Sequence, residues 1–261
     1  MRALDIAATG MLAQQRNVEV ISNNLANMNT TSFKRSRTEF HDLLYQNLRR
    51  VGSTSSDAGT IVPTGVQLGL GVKLNAVYRI HEQGDLTVTD NPFDLAIQGK
   101  GFFQIQLPTG ETAYTRDGTF QLNNAGQLVT HDGFALLPGV SVPTNAVDVT
   151  INDSGEVLVK LEGQVNLANV GQIQLATFQN EPGLEAIGDN LLIETPASGS
   201  PTVGNPGATD FGSLLQGFLE TANVNAVEEI SNLISAQRAY EMNSKVIETT
   251  DQMMATVTNV R

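Results

Sequence analysis

Residues 225–254, NAVEEISNLISAQRAYEMNSKVIETTDQMM, decide the architecture. Leu233, Tyr240, Ile247 and Met254 stand seven apart, and Ile230 and Ile234 recur at helical spacing, which predicts an amphipathic helix with a coiled-coil-like seam. Asn225 with Glu228 three residues on reads as a capping pair, and Glu228 and Glu229 suit the positive end of the helix dipole. The helix therefore starts near residue 225. Continued to about residue 258 it is roughly 50 Å long, well beyond an ordinary globular helix. A second apolar set, Val246, Met253, Val257 and Val260, lies beside the first, so the helix needs partners on more than one side. Gln237, Ser244 and Asp251 put polar groups within the seam, where they resemble positions that set register at some cost in stability.

The other end of the chain mirrors this pattern. Leu4, Met11, Val18 and Leu25 are again seven apart, with Ala7, Ala8 and Ile21 filling the neighbouring stripe. Asn23, Asn24, Asn27 and Asn29, followed by Thr30, Thr31 and Ser32, offer side chains that compete with helical backbone bonds, so this helix ends there. One short N-terminal helix cannot cover both apolar stripes of the C-terminal one. Two arrangements stay open: a helical hairpin packed on its own domain, or seams completed by neighbouring copies.

Between the helices the chemistry changes. Among 261 residues there is no Trp, with 10 Phe, 4 Tyr and 24 Gly, which favours many tight turns around a thin core. Val147, Val149 and Ile151 alternate, Asp153-Ser154-Gly155 supplies a turn, and Val157, Val159 and Leu161 alternate again, predicting a hairpin. Similar alternation marks Leu86 and Val88, Leu95 and Ile97, Phe103, Ile105 and Leu107, Phe120 and Leu122, and Ile173 and Leu175. Residues 52–65 and 196–207 are rich in Gly, Ser, Thr and Pro and read as connectors. The expected fold class is α+β: N- and C-terminal helices forming a coiled-coil-like unit, an inserted β-rich middle domain and extended connectors. The expected division is an N-terminal helical segment over 1–35, a connector over 36–74, a β-rich outer domain over 75–215, and a return connector with the C-terminal helix over 216–261.

A formal net charge of −12 disfavours nucleic acid as a partner. The charge is uneven: residues 1–50 hold seven Lys or Arg against four acidic residues, so the acidity belongs to the rest of the chain. The absence of cysteine excludes disulfides and thiolate chemistry. The start, MRALDIAATGMLAQQRN, lacks the apolar run of a cleaved signal, and no stretch approaches the roughly 20 apolar residues of a membrane span. Gly99-Lys100-Gly101 lacks a phosphate-loop fingerprint and reads as a strand-to-strand turn that sends Phe102 and Phe103 into the core. His41, His81 and His131 are too dispersed for a metal site. Asp148, Asn152, Asp153 and Glu156 do not follow calcium-loop spacing. We therefore expect no catalytic residue, cofactor or metal. A secreted carbohydrate-binding or hydrolytic β domain with helical tails is the alternative class, disfavoured by the few aromatics.

Four ordered motifs span essentially the whole chain. Ser22-Asn23-Asn24-Leu25-Ala26-Asn27-Met28-Asn29-Thr30-Thr31-Ser32-Phe33-Lys34-Arg35 resembles the N-terminal signature of the bacterial flagellar rod and hook proteins. Asn223-Val224-Asn225, Gln237-Arg238-Ala239-Tyr240-Glu241, Asn243-Ser244-Lys245 and Thr250-Asp251-Gln252-Met253-Met254 are similar to its C-terminal signature. Gly99-Lys100-Gly101-Phe102-Phe103 and Tyr114-Thr115-Arg116-Asp117-Gly118 resemble its middle motifs. One departure stands out: the family usually has Gly where this chain has Ser32, so a positive φ there would leave the serine mildly strained.

This resemblance implies a structural subunit and not an enzyme. It implies a hollow rod of identical subunits, terminal helices lining the inner tube and the β domain facing outward. It also implies export through the flagellar type III apparatus without signal cleavage, and a place in the rod across the periplasm. Length argues for a rod over a hook subunit, and the long connector for the distal over the proximal rod. The implied partners are copies of itself, the proximal rod and hook proteins, and surrounding periplasmic and outer-membrane ring proteins, with no nucleic acid and no membrane insertion. The residues expected to carry self-assembly are Leu4, Met11, Val18, Ile21 and Leu25 at one end, and Ile230, Leu233, Ile234, Tyr240, Ile247 and Met254 at the other.

Overall fold

The computed structural model of the chain describes residues 2–50, 64–163 and 166–259, with side chains as far as Thr256. Most of the connector read over 52–65, and the side chains of Val257 and Val260, lie outside the described residues. The chain forms two units, one of Met1–Ala26, Ser36–Arg79 and Asn225–Arg261, the other of Asn27–Arg35 and Ile80–Val224. Terminal helices around a β-rich middle make the fold α+β, as expected.

In the helical unit, α1 (Arg2–Ala26) and α2 (Ala226–Asn259) lie antiparallel: Gly10 faces Asn243, while Asn24 Nδ2 donates to Glu229 Oε1 at 3.4 Å. Asn225 caps α2, its Oδ1 accepting the backbone N–H groups of Val227 (3.1 Å) and Glu228 (3.3 Å). Beside the helices runs a two-stranded ribbon. Strand β1 (Ser36–Asp42) and β2 (Tyr45–Arg49) go out, and β3 (Val66–Gly69) and β4 (Val72–Arg79) return, with β1 on β4 and β2 on β3 in antiparallel register.

Three polar residues of α1 hold that ribbon. Asn24 accepts the Ser36 N–H at 2.8 Å and donates to the Ser36 carbonyl at 2.9 Å. Asn17 Oδ1 accepts from the Thr38 hydroxyl at 2.8 Å, and Thr9 Oγ1 accepts the Val72 N–H at 3.3 Å. Gly71 permits the last contact, because a Cβ there would lie 2.2 Å from Thr9 Oγ1 and its φ is +119°.

Among the described residues, the second unit is β apart from one turn of 3-10 helix at Glu181–Gly183. Its strands are β5 (Leu86–Val88), β6 (Leu95–Gln98), β7 (Phe102–Gln106), β8 (Thr112–Thr115), β9 (Gln121–Leu122), β10 (Leu128–Val129), β11 (Ala135–Leu137), β12 (Ala146–Ile151), β13 (Glu156–Leu161), β14 (Ala168–Gln172), β15 (Leu175–Thr177), β16 (Glu185–Gly188), β17 (Leu191–Ile193), β18 (Thr202–Gly204), β19 (Ser213–Gln216) and β20 (Phe218–Glu220). The main sheet runs β16-β17-β8-β7-β11-β10-β9, with β15 also on β7 and β18 on β15. A β12-β13-β14 meander and the pairs β6–β19 and β5–β20 complete it.

Strand β7 shows how the core is built. Alternation sends Phe103 and Ile105 into a cluster with Leu95, Ile97, Phe120, Leu136, Val157 and Leu175, while Phe102 meets Tyr114, Ala176, Phe178 and Leu192 on the other face. Edge-to-face ring pairs, Phe103 on Phe120 at 5.1 Å and Tyr114 on Phe178 at 4.7 Å, fix each cluster.

The hairpin over 146–161 is present, with Val149 opposite Val159 and Ile151 opposite Val157. One detail differs from simple alternation. A bulge between Ala146 and Asp148 makes Val147 the extra residue, and it is 68% exposed. The oxygen cluster in its turn is occupied internally: Asn152 Oδ1 accepts the Glu156 N–H and Asn152 Nδ2 donates to Glu156 Oε2, both at 2.9 Å.

The stretch 196–207 is not a connector. It contributes β18 to the sheet against β15 and buries Ser198, whose hydroxyl donates to Thr195 O at 2.9 Å. Gly, Ser and Pro supply its turns, and pairing with β15 orders them.

Candidate assembly surfaces and the signature segments

About 100° of rotation per residue sorts the residues of α2 into two sides. Glu229, Ala236 and Thr250 are buried on the side toward α1, with Leu233, Asn243, Ile247 and Met254 half-buried around them. Ala7, Ala13, Ile21 and Asn24 are the buried residues of α1. Leu4, Met11, Val18 and Leu25, expected at the centre of the seam, are half-buried at its margins. Small residues take the centre because they let the helices approach: a Cβ on Gly10 would sit 2.9 Å from Asn243 Nδ2.

Of the residues expected for self-assembly, Ile230, Ile234 and Tyr240 are exposed. Ile230 and Ile234 join Val227 (79% exposed), Met242 (61%), Val246 and Met253 (59%) on the side of α2 turned away from α1. These large apolar side chains, with exposed Arg238, Glu241 and Lys245 among them, are left uncovered by α1. Gln237 and Arg238 are also exposed, and Ala239 is half-buried.

The N-terminal signature divides between the two units. Asn23 and Ala26 are exposed and Asn24 is buried in the helical unit; Asn27, half-buried Phe33 and buried Lys34 belong to the β unit. Lys34 Nζ donates to Glu220 Oε1 and, at 2.7 Å, to the Glu82 carbonyl. Arg116 Nε donates to the other oxygen, Glu220 Oε2, at 2.8 Å, and the Gly84 N–H donates to Oε1 at 2.8 Å. Lys34 is 6% exposed and Glu220 1%.

The middle motifs meet at the same point. Arg116 Nη2 donates to Gly99 O (2.9 Å) and Ile97 O (3.3 Å), and Nη1 to Gly101 O (3.4 Å), while its guanidinium lies 6.0 Å from the Phe102 ring centroid. Gly99 and Gly101 take φ of +109° and +135°, so only glycine gives this turn without strain. Gly99-Lys100-Gly101 is therefore the turn expected between strands, and its carbonyls receive an arginine. Glu220, the anion at the centre, lay in no motif; the one signal available was an acidic residue within a short apolar strand.

Burial pushes Lys34 below the ordinary lysine value, against the pull of Glu220. Burial alone would raise Glu220, but the charges of Arg116 and Lys34, with their hydrogen bonds, hold it below the usual carboxylate range. Asp117 is raised by burial, although it accepts the Thr119 N–H at 3.1 Å. Ser32 takes φ of +56°, the condition under which its replacing glycine implied strain. Its hydroxyl donates to Arg116 O and its N–H to Glu220 O, both at 2.8 Å, which offsets that cost.

His41 and His131 are exposed, and His81 lies edge-on to Phe102 at 5.8 Å. Among the described residues no group of three His, Asp or Glu is placed to hold a metal, and no helix is long and apolar enough to cross a membrane.

Comparison with known proteins agrees at both ends and in the middle. Family descriptions match in order: "Flagella basal body rod protein" over residues 4–34, "Flagellar hook protein FlgE/F/G D1 domain" over 96–159 and "Flagellar basal body rod FlgEFG protein C-terminal" over 215–260. The flagellar basal-body rod protein FlgG of Caulobacter vibrioides is 62% identical over 100% of both chains. That of Agrobacterium fabrum is 51% identical over 98% of both, and that of Bacillus subtilis 38% identical over 100% of this chain and 99% of its own. A solved flagellar hook protein, FlgE2 of Helicobacter pylori, aligns over 72% of this chain and 43% of that one at 16% identity and a TM-score of 0.25, too slight a likeness to inform the fold. End-to-end identity at this level shows that the chain belongs to the FlgG family of flagellar basal-body rod proteins.

Proposed function

We propose that this chain is the structural subunit of the flagellar distal rod, polymerising with its own copies into a hollow helical shaft that carries torque across the periplasm to the hook. The observation behind this reading is the set of large apolar side chains on α2 that α1 leaves uncovered: Val227, Ile230, Ile234, Met242, Val246 and Met253. Several large apolar side chains left in water on one helix mark a protein–protein interface. When identical chains meet through two different patches, the contact does not close, and a helical filament grows.

In this reading the terminal segments 1–35 and 216–261 line the tube, residues 36–74 connect, and residues 75–215 face outward. Leu4, Met11, Val18, Leu25, Leu233, Ile247 and Met254, only half-buried in the single chain, would be completed by neighbouring copies. The chain acts mechanically and catalyses nothing. Its partners are the proximal rod and hook proteins and the rings through which the shaft turns. Relatives named FlgG match the chain over its whole length, which favours the distal rod over a hook-type subunit.

The test is a flagellar deletion strain complemented with Val246→Asp/Met253→Asp. The purified variant should keep wild-type secondary structure, while isolated basal bodies should end short of the hook in electron micrographs. Rods of normal length and number from that variant would overturn the reading.

A further inference from the structure

Residues 27–35 cross the β unit as a strap rather than as a strand of any sheet. Asn190 Nδ2 donates to Thr31 O at 2.9 Å, Ser32 is held by Glu220 O and Arg116 O, and the Asn223 N–H donates to Phe33 O at 3.3 Å. The Arg35 N–H donates to Asn223 Oδ1 at 2.7 Å, and Asn223 Nδ2 donates in turn to the carbonyls of Ile80 (2.9 Å) and Glu82 (3.1 Å). The Ile80 N–H donates to Arg35 O at 2.9 Å and Arg35 Nη2 pairs with Glu82 Oε2 at 3.6 Å, so the strap is bound by single hydrogen bonds, one partly exposed ion pair and one buried ammonium.

Three features distinguish this attachment from ordinary core packing. Ser32 is in the left-handed region, where a side chain costs energy. Lys34 is buried and strongly hydrated when free, so leaving its site regains solvation. Above all, Lys34 and Arg116 share one carboxylate, so the docked cluster carries an excess cation. When Lys34 departs, Glu220 keeps Arg116 on Oε2 and the Gly84 N–H on Oε1, and the guanidinium keeps the Gly99 carbonyl. What remains is a neutral, hydrogen-bonded pair between the end of β20 and the residue after β8, whereas removing Glu220 would strand two buried cations.

We propose that residues 27–35 form a releasable strap: it undocks as one piece, with Lys34 withdrawing to water, while the β sheet behind it stays folded. Release frees the segment that follows α1 from the β unit without unfolding either, a conformational freedom present in the single chain and independent of how copies assemble. The strap is then the first part of the β unit to open, an element from the low-stability end of the molecule.

Native-state hydrogen exchange on the full chain tests this. The amides of Ser32 and Arg35, with that of Asn223, should exchange as one group at least about 100-fold faster than those of Gln104 and Tyr114 in the β7–β8 pair. Lys34→Met, which leaves the Arg116–Glu220 pair balanced, should change strap exchange by less than about threefold. Glu220→Gln should accelerate strap and sheet together by about 100-fold or more. Strap amides exchanging at the rate of β7 and β8 would overturn the proposal, as would a tenfold or greater acceleration by Lys34→Met. Neither outcome bears on polymerisation, which the basal-body micrographs decide separately.

Discussion

Ser32 offers the sharpest test of the signature segment, because one side chain sets two opposing energies. Its φ of +56° costs a non-glycine residue roughly 1–2 kcal/mol. Its buried hydroxyl donates to Arg116 O at 2.8 Å, worth about 1 kcal/mol net, and removing the donor leaves a buried carbonyl short of a partner at about 1–3 kcal/mol. Ser32→Gly relieves the backbone and loses the hydrogen bond, so it should lie within about 1 kcal/mol of wild type. Ser32→Ala keeps the backbone cost and loses the hydrogen bond, so it should be less stable than wild type by about 1–2 kcal/mol, and less stable than the glycine variant by a similar amount. Denaturant unfolding followed by tyrosine fluorescence measures this, since the chain has no Trp and Tyr114 is buried in the β unit. Equal stability of the alanine and glycine variants would refute the reasoning, because a positive φ must separate them.

Gly118→Ala would place a Cβ 1.6 Å from the Leu95 carbonyl oxygen, a backbone atom that cannot yield, so thermal unfolding should show a loss of more than about 3 kcal/mol; Gly139→Ala, with open space around it, should stay within about 0.5 kcal/mol. Asn24→Ala removes both hydrogen bonds to the Ser36 backbone and should cost the helical unit about 2–3 kcal/mol, read as faster hydrogen exchange in β1. Glu220 has a folded pKa below its ordinary 4.5, so its stabilisation is complete above that value and is lost as pH falls through the folded value. The difference in unfolding free energy between wild type and Glu220→Gln should accordingly be level above about pH 5.5 and shrink below pH 4.5; a difference unchanged down to pH 3 would mean that Glu220 is not held ionised.

Both terminal helices, the Asn225 cap, the hairpin around Ser154 and the family were legible along the chain. Each rests on local information: a seven-residue apolar spacing, a side chain that reaches its own backbone two or three residues on, or strict alternation. The same local reading failed at 196–207, because turn-forming residues say where a chain bends and not whether a distant strand will pair with it. It also missed Val147, turned out by a bulge that depends on how two strands meet.

Which residues of each helix are central depends on how the two helices pack. Leu4, Met11, Val18 and Leu25 are periodic, yet Ala7, Ala13, Asn24, Glu229 and Ala236 are buried, because close antiparallel approach favours small side chains and a matched polar pair over bulk. Tertiary structure also joined Lys34, Arg116 and Glu220, and gave Ser32 the positive φ that its place in the signature had hinted at. Such a cluster is invisible along the chain, since its members are separated by more than 80 residues and are brought together only when the strap lies down on the sheet.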